Sequence, residues 1–254
     1  MRALTKTFGI LLLLGSSFTA FAADSTDTAR RASTNPWTGT NMIIGFTGRT
    51  GNSQELNFSG KLRIKHKKNQ WAKILKLEGE ANTSDGKLSS GDAYTFGKLQ
   101  RFFSDNSQRL YTSIEGKFDK FGPYEYQTAL AAGYGRDIIK LESFVWDIEL
   151  GPGIMQSRIN SEPAKVENQP IIDLQSNIDW YITKTFIFEE DFSSDIGPKN
   201  TYTRSVTSFK NTIKGPLGWQ ISFKLEHNTK FPPGSSNTKH LDFTTELGLL
   251  YNFA

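Results

Sequence analysis

The sequence predicts an all-β fold, a closed antiparallel up-and-down barrel that crosses a membrane with about twelve strands, ten being the alternative count. Three observations predict it. Apolar residues recur with period two in a series of short segments, turn-forming connections separate those segments, and no stretch after the N-terminus reads as a helix.

The first element is not a strand. In MRALTKTFGILLLLGSSFTAFAAD, Arg2 and Lys6 precede the apolar run Phe8 to Leu14, and small residues lead to Ala22. This reads as a secretory signal peptide over residues 1–22, because the run is shorter than the ~20 residues a spanning helix needs. A polar tail, 23–36, follows, and residues 37–254 form a single barrel domain.

The strand stripes then come in order. Met42, Ile44 and Phe46 open the series, followed by Leu56, Phe58, Leu62 and Ile64, then Trp71, Leu75 and Leu77, then Tyr94, Phe96 and Phe102. Leu110, Ile114 and Phe118 come next, with Tyr124, Tyr126, Leu130 and Tyr134 after them, then Phe144, Trp146, Ile148 and Leu150, and Ile172, Leu174, Ile178 and Trp180. Phe186 with Phe188 and Tyr202 with Val206 are the weakest pairs; Trp219, Ile221, Phe223 and Leu225 are clear. The chain ends in TTELGLLYNFA, where Leu247, Leu249, Tyr251 and Phe253 alternate with polar or small residues. A closed sheet pairs its last strand with its first, so this terminal stripe is expected to be the lipid face of the closing strand.

Short connections are expected at KKNQ (67–70), SDNS (104–107) and KGPLG (214–218). Longer polar ones are expected at 82–92, 158–170, 193–200 and 227–240, the asymmetry of outer-membrane barrels. RTGNSQ (49–54) is short on the long side.

The residues between the stripes choose between lipid outside and a soluble core inside. Lys61, Arg63, Lys65, Glu78, Glu80, Glu115, Lys117, Asp147, Glu149, Lys224, Glu226, Asp242 and Glu246 alternate with the apolar positions. Facing outward into water, they would force the apolar faces of twelve long strands into one small core, as in a secreted sandwich or lipocalin-like barrel. Turned inward, they line a hydrated lumen, which twelve strands make wider than the eight-stranded case. A two-residue turn at Asn69-Gln70 would set Lys61 opposite Glu78 on neighbouring strands.

Composition agrees. Without Arg2 and Lys6 the 30 basic residues become 28 against 26 acidic ones, and this near balance argues against a nucleic-acid partner. There is no cysteine, hence no disulfide framework or thiolate site.

The opening WTGTNMIIGFTGRTGNSQEL and the ending FPPGSSNTKHLDFTTELGLLYNF resemble the salt-induced outer-membrane proteins, a bacterial group defined as a domain of unknown function. The resemblance spans roughly residues 37 to 253 and rests on a strand followed by a small-Gly-Asn-Ser/Thr turn. Members tend to end on the aromatic residue itself, whereas here Ala254 follows Phe253. The resemblance implies an envelope β-barrel and no established activity. The expected partners are outer-membrane lipid and the barrel-assembly machinery, met through the C-terminal strand.

Chemistry-bearing constellations are sparse. His66, His227 and His240 lack the spacing of a metal site, although the last two flank the final loop. Ser222 or Ser205 with His227 would need an orienting third group to act as a nucleophile. Asp147 and Glu149 share one strand face, as a glycosidase requires and as a charged lumen also produces. GYG (133–135) and GPG (151–153) read as strand ends and turns. No catalytic residue, cofactor or metal ligand is assigned. The expected function is a structural or small-solute-permeable envelope barrel. An outer-membrane hydrolase of lipid or glycan and a surface-binding protein using long loops are the alternatives.

Overall fold

A computed structural model describes residues 35–49, 55–84, 87–119, 122–161, 163–230 and 240–253. The positions expected to form a signal peptide, 1–22, and most of the expected N-terminal tail lie outside the described residues. So do all of Thr50–Gln54 and most of the final loop.

Twelve strands follow one another: β1 (Asn41–Arg49), β2 (Glu55–Lys68), β3 (Trp71–Ser84), β4 (Lys87–Phe102), β5 (Gln108–Asp119) and β6 (Tyr124–Lys140), then β7 (Phe144–Ile159), β8 (Lys165–Tyr181), β9 (Phe186–Ile196), β10 (Thr201–Lys214), β11 (Leu217–Asn228) and β12 (Leu241–Asn252). Each pairs antiparallel with its sequence neighbours, and β12 returns to β1 to close the barrel. Closure is the only way a sheet satisfies its backbone in lipid.

Turn chemistry fixes one end. Asn69 and Gly215 adopt left-handed backbone (φ 55° and 57°) in the β2–β3 and β10–β11 turns, and Asn106 (φ 52°) does so between β4 and β5. Asn and Gly tolerate this region where other residues are strained. At this short-turn end Trp180 packs on Phe188, Phe186 stacks on Phe209, and Tyr251 meets Phe253 with ring centroids 5.0 Å apart. Phe118 with Tyr126 marks the opposite end. Aromatic pairs thus stand toward both ends of the apolar band, where a bilayer's two interfaces favour them.

Three expectations need correction. The 82–92 segment is not a long loop, because β3 runs to Ser84 and β4 starts at Lys87; likewise β7 and β8 extend to Ile159 and from Lys165, and β9 extends to Ile196. Polar strands beyond the apolar band still gain their ladder hydrogen bonds, so polarity alone does not end pairing. Second, Tyr94, Phe96, Phe102, Tyr202 and Val206 are buried in the interior, not on the lipid face. In both β4 and β10 these aromatics share parity with cations that lipid would penalise more, namely Lys98 in β4 and Arg204 and Lys210 in β10. Third, GYG and GPG lie within β6 and β7 rather than at turns. A Cβ on Gly133 would sit 2.2 Å from the Leu150 carbonyl oxygen, and one on Gly151 2.2 Å from that of Ala132. The two glycines let the strands approach closely.

Candidate functional site

Period two sends the apolar residues of most strands outward: Ile44, Phe58, Leu77, Ile114, Leu150, Ile172 and Leu249 are exposed on the outer wall. The opposite face of each strand meets the lumen. There, long side chains from facing walls reach one another.

Arg63 of β2 donates to Glu189 of β9 at 3.3 Å, and Lys210 of β10 reaches the same carboxylate at 2.5 Å. Lys76 of β3 meets Asp191 of β9 at 2.8 Å, and Arg204 of β10 meets Glu78 of β3 at 2.7 Å. Lys224 of β11 bonds Glu80 of β3 at 2.8 Å, Lys117 of β5 bonds Glu226 of β11 at 3.0 Å, and Lys61 lies 3.1 Å from Glu246. Near the short-turn end Arg109 of β5 grips Asp137, Asp147 and Glu149, while Lys98 of β4 donates to Glu149 and to Gln175 at 2.5 Å. Glu149 is completely buried (0 % exposed). Gly135 makes this possible, since a Cβ there would stand 2.7 Å from Glu149 Cγ and 3.2 Å from Arg109 Nε.

Elsewhere Ala129, Met155, Ile171 and Tyr202 form a small apolar cluster of buried side chains. Between the ion pairs a residual cavity of 20 Å³, lined by residues including Lys76, Tyr94, Asp191 and Arg204, has room for about one water. The cations are also capped by rings: the Arg204 guanidinium carbon lies 4.1 Å from the Tyr94 ring centroid.

Among the residues singled out from sequence, Lys61, Arg63, Glu78, Glu80, Lys117, Asp147, Glu149, Lys224, Glu226 and Glu246 take part in these pairs. Lys65 shares their face beside Gly39. Glu115 is buried on β5, and Asp242 is exposed at the start of β12, opposite Glu226 in register. Their partners Lys76, Lys98, Arg109, Glu189, Asp191, Arg204 and Lys210 escaped the sequence reading. A rule that gives parity to charges before aromatics would have found Lys98, Arg204 and Lys210.

The remaining candidates separate. Ser222 is in the lumen beside Lys61, whereas His227 is on the opposite face of the same strand, so they cannot meet. Ser205 lies on the outer wall and donates to Glu190 Oε1 at 2.6 Å, while Thr207 donates to Oε2. The His227 and His240 rings are 6.3 Å apart, with His240 Nδ1 2.8 Å from the Asn228 carbonyl oxygen. His66 packs against Trp37, with centroids 4.5 Å apart. Among the described residues no group of three or more His, Cys, Asp or Glu side chains is arranged to hold a metal. Asp147 and Glu149 share Arg109 as an ion partner, and Asp147 also accepts from the Asn177 amide at 3.0 Å.

A closed sheet with a largely apolar outer wall and most of its strand charges turned into the interior defines a β-barrel of the membrane-spanning class. The chain belongs to the family described as "Protein of unknown function, DUF481", which matches residues 43–253. It is similar to the uncharacterized protein YdiY of Escherichia coli (strain K12), 23% identical over 259 residues that cover 99% of this chain and 100% of that one. Among solved structures it is similar to the translocator domain of the autotransporter NalP from Neisseria meningitidis, at 9% identity and a TM-score of 0.46 over 84% of this chain and 86% of that one.

Proposed function

We propose that the protein is a structural barrel of the bacterial outer membrane whose lumen is closed by its own side chains, so that it adds a rigid wall element and not a diffusion pore. The ion pair between Arg204 on β10 and Glu78 on β3 carries this reading, because it crosses the barrel axis between nearly opposite walls. The Arg63–Glu189 and Lys76–Asp191 pairs repeat the crossing. A small solute following the axis would have to separate desolvated charges, each step costing several kcal/mol. The exposed stripe Leu247, Leu249, Tyr251 and Phe253 supports delivery by the barrel-assembly machinery through β12.

The test is a planar-bilayer recording on refolded protein, with fractionation of cell envelopes alongside. The expected result is recovery with the outer membrane, heat-modifiable mobility in detergent gels, and no steady conductance. A stable ohmic channel from the unmodified chain overturns the closed-lumen reading, and recovery in the soluble periplasm overturns the location.

A further inference from the structure

The barrel wall is not zipped equally all round. β1 pairs with β2 as far as Arg49 opposite Glu55, and β12 pairs with β11 from Tyr251 back to Leu241. Yet β1 and β12 pair with each other only over Asn41–Gly45 and Asn252–Gly248, extended by the Phe253 N–H donating to the Thr40 carbonyl. Continuing that register would set Phe46 against Leu247. Among the described residues no ladder bonds join β1 and β12 beyond that point, toward the long-loop end. Backbone donors and acceptors on unpaired edges find no partner in hydrocarbon.

The surroundings of this part of the seam are amphipathic. On the outer wall Phe46, Phe243 and Leu247 are 63%, 64% and 60% exposed, among the barest apolar side chains described. On the lumen side stand Glu246, Lys61 and Ser222, with Lys61 3.4 Å from the Ser222 hydroxyl. Beside the zipped half lies a groove of 380 Å³, lined by Met42, Ile44, Leu62 and Leu77 and floored by Gly60 and Gly79. These two glycines are direct register partners, and a Cβ on either would meet nothing within 4 Å. The groove is therefore real space facing lipid, large enough for a small ligand. It adjoins this part of the seam, because Gly60 is one outward position from Phe58, the register partner of Phe46.

We propose that the seam and groove together form a lateral binding site for a single-chain amphiphile. The acyl chain lies in the Gly60–Gly79 groove, which meets it from the hydrocarbon. The polar head enters this part of the seam toward the long-loop interface, where it hydrogen-bonds the strand edges beyond the β1–β12 ladder and the Lys61, Glu246 and Ser222 side chains. Neither feature alone specifies this ligand; an apolar groove that continues into a polar stretch of the seam matches a molecule with both parts.

The native chain has no cysteine, which allows a direct test. In the variant Ile44→Cys/Leu249→Cys, whose positions are register partners, a disulfide is expected to form readily, whereas Phe46→Cys/Leu247→Cys is expected to remain reduced under the same oxidant. Palmitic acid carrying a diazirine in its tail, photolysed in phosphatidylcholine vesicles with the refolded barrel, is expected to label residues 42–79 preferentially. Gly60→Leu/Gly79→Leu should cut that labelling about tenfold while heat-modifiable mobility persists. Equal disulfide yields from the two cysteine pairs overturn the proposal, as does labelling spread evenly round the outer wall or unchanged in the double leucine variant. If that variant fails to refold, the cysteine pairs and the unmodified labelling map still decide.

Discussion

Lys61 and Glu78 stand directly opposite each other on β2 and β3, yet neither is the other's ion partner. Lys61 lies 3.1 Å from Glu246 on β12, and Glu78 accepts from Arg204 on β10 at 2.7 Å. Neighbouring strands alone would have paired them. Closure of the barrel brings further walls within reach, and each charge takes a partner that helps fill the axis.

Breaking the Arg204–Glu78 pair from one side leaves a buried charge without compensation. Glu78→Gln is expected to destabilise the barrel by about 3 kcal/mol, and Glu78→Gln/Arg204→Met by less than the single change. Urea unfolding from lipid vesicles, followed by tryptophan fluorescence, measures both. A loss below about 1 kcal/mol for Glu78→Gln would place this pair with exposed salt bridges.

The two faces of β12 fail for different reasons. Leu249, 58% exposed on the outer wall, is expected to cost about 2 to 4 kcal/mol when changed to arginine. Alternation alone would make Gly248 tolerant, since it faces inward. Its added Cβ, however, would lie 2.5 Å from Ile43 Cγ2, so even Gly248→Ala is expected to cost about 1 to 3 kcal/mol in the same refolding assay.

Gly151→Ala is expected to disturb the β6–β7 ladder, because its Cβ would stand 2.2 Å from the Ala132 carbonyl oxygen and 2.6 Å from Gly133 Cα. Backbone cannot yield as a side chain does. Gly60→Ala, with open space around it, should refold like the parent. Comparing the folded fraction of the two on unheated gels checks the difference.

The β4–β5 turn carries a pH signature. The Ser107 hydroxyl donates to Asp105 Oδ2 at 2.5 Å, and the Ser107 and Gln108 N–H groups donate to Oδ1, holding this exposed carboxyl down at about 2. The folded value is lowered, so the stabilisation is complete above the ordinary aspartate value of about 3.9 and fades as pH falls through the folded value. A carboxyl-carbon NMR titration of the refolded barrel should show the low midpoint. Ser107→Ala should move it up; an unmoved midpoint would mean the hydroxyl is not its cause.

Much of the fold is legible in the sequence because a strand at an interface has only two faces. The terminal stripe Leu247, Leu249, Tyr251, Phe253, the twelve segments and the Asn69-Gln70 turn that sets Lys61 against Glu78 all follow from period two and turn chemistry. The same logic misplaced Tyr94, Phe96 and Tyr202, since a large aromatic suits lipid or a ring-capped cation equally well. The lumen is less legible still, because its contacts join residues more than a hundred positions apart, as with Glu78 and Arg204.

By itself, the sequence determined that this chain is a barrel of ten to twelve strands and which face of most of them is apolar, because those properties are set by neighbours along one strand. Only the tertiary structure decided that ion pairs cross the lumen, which charge meets which, and how far β1 and β12 pair. Those depend on distances between strands that meet only when β12 returns to β1, and no local pattern encodes the width of the space that closure leaves.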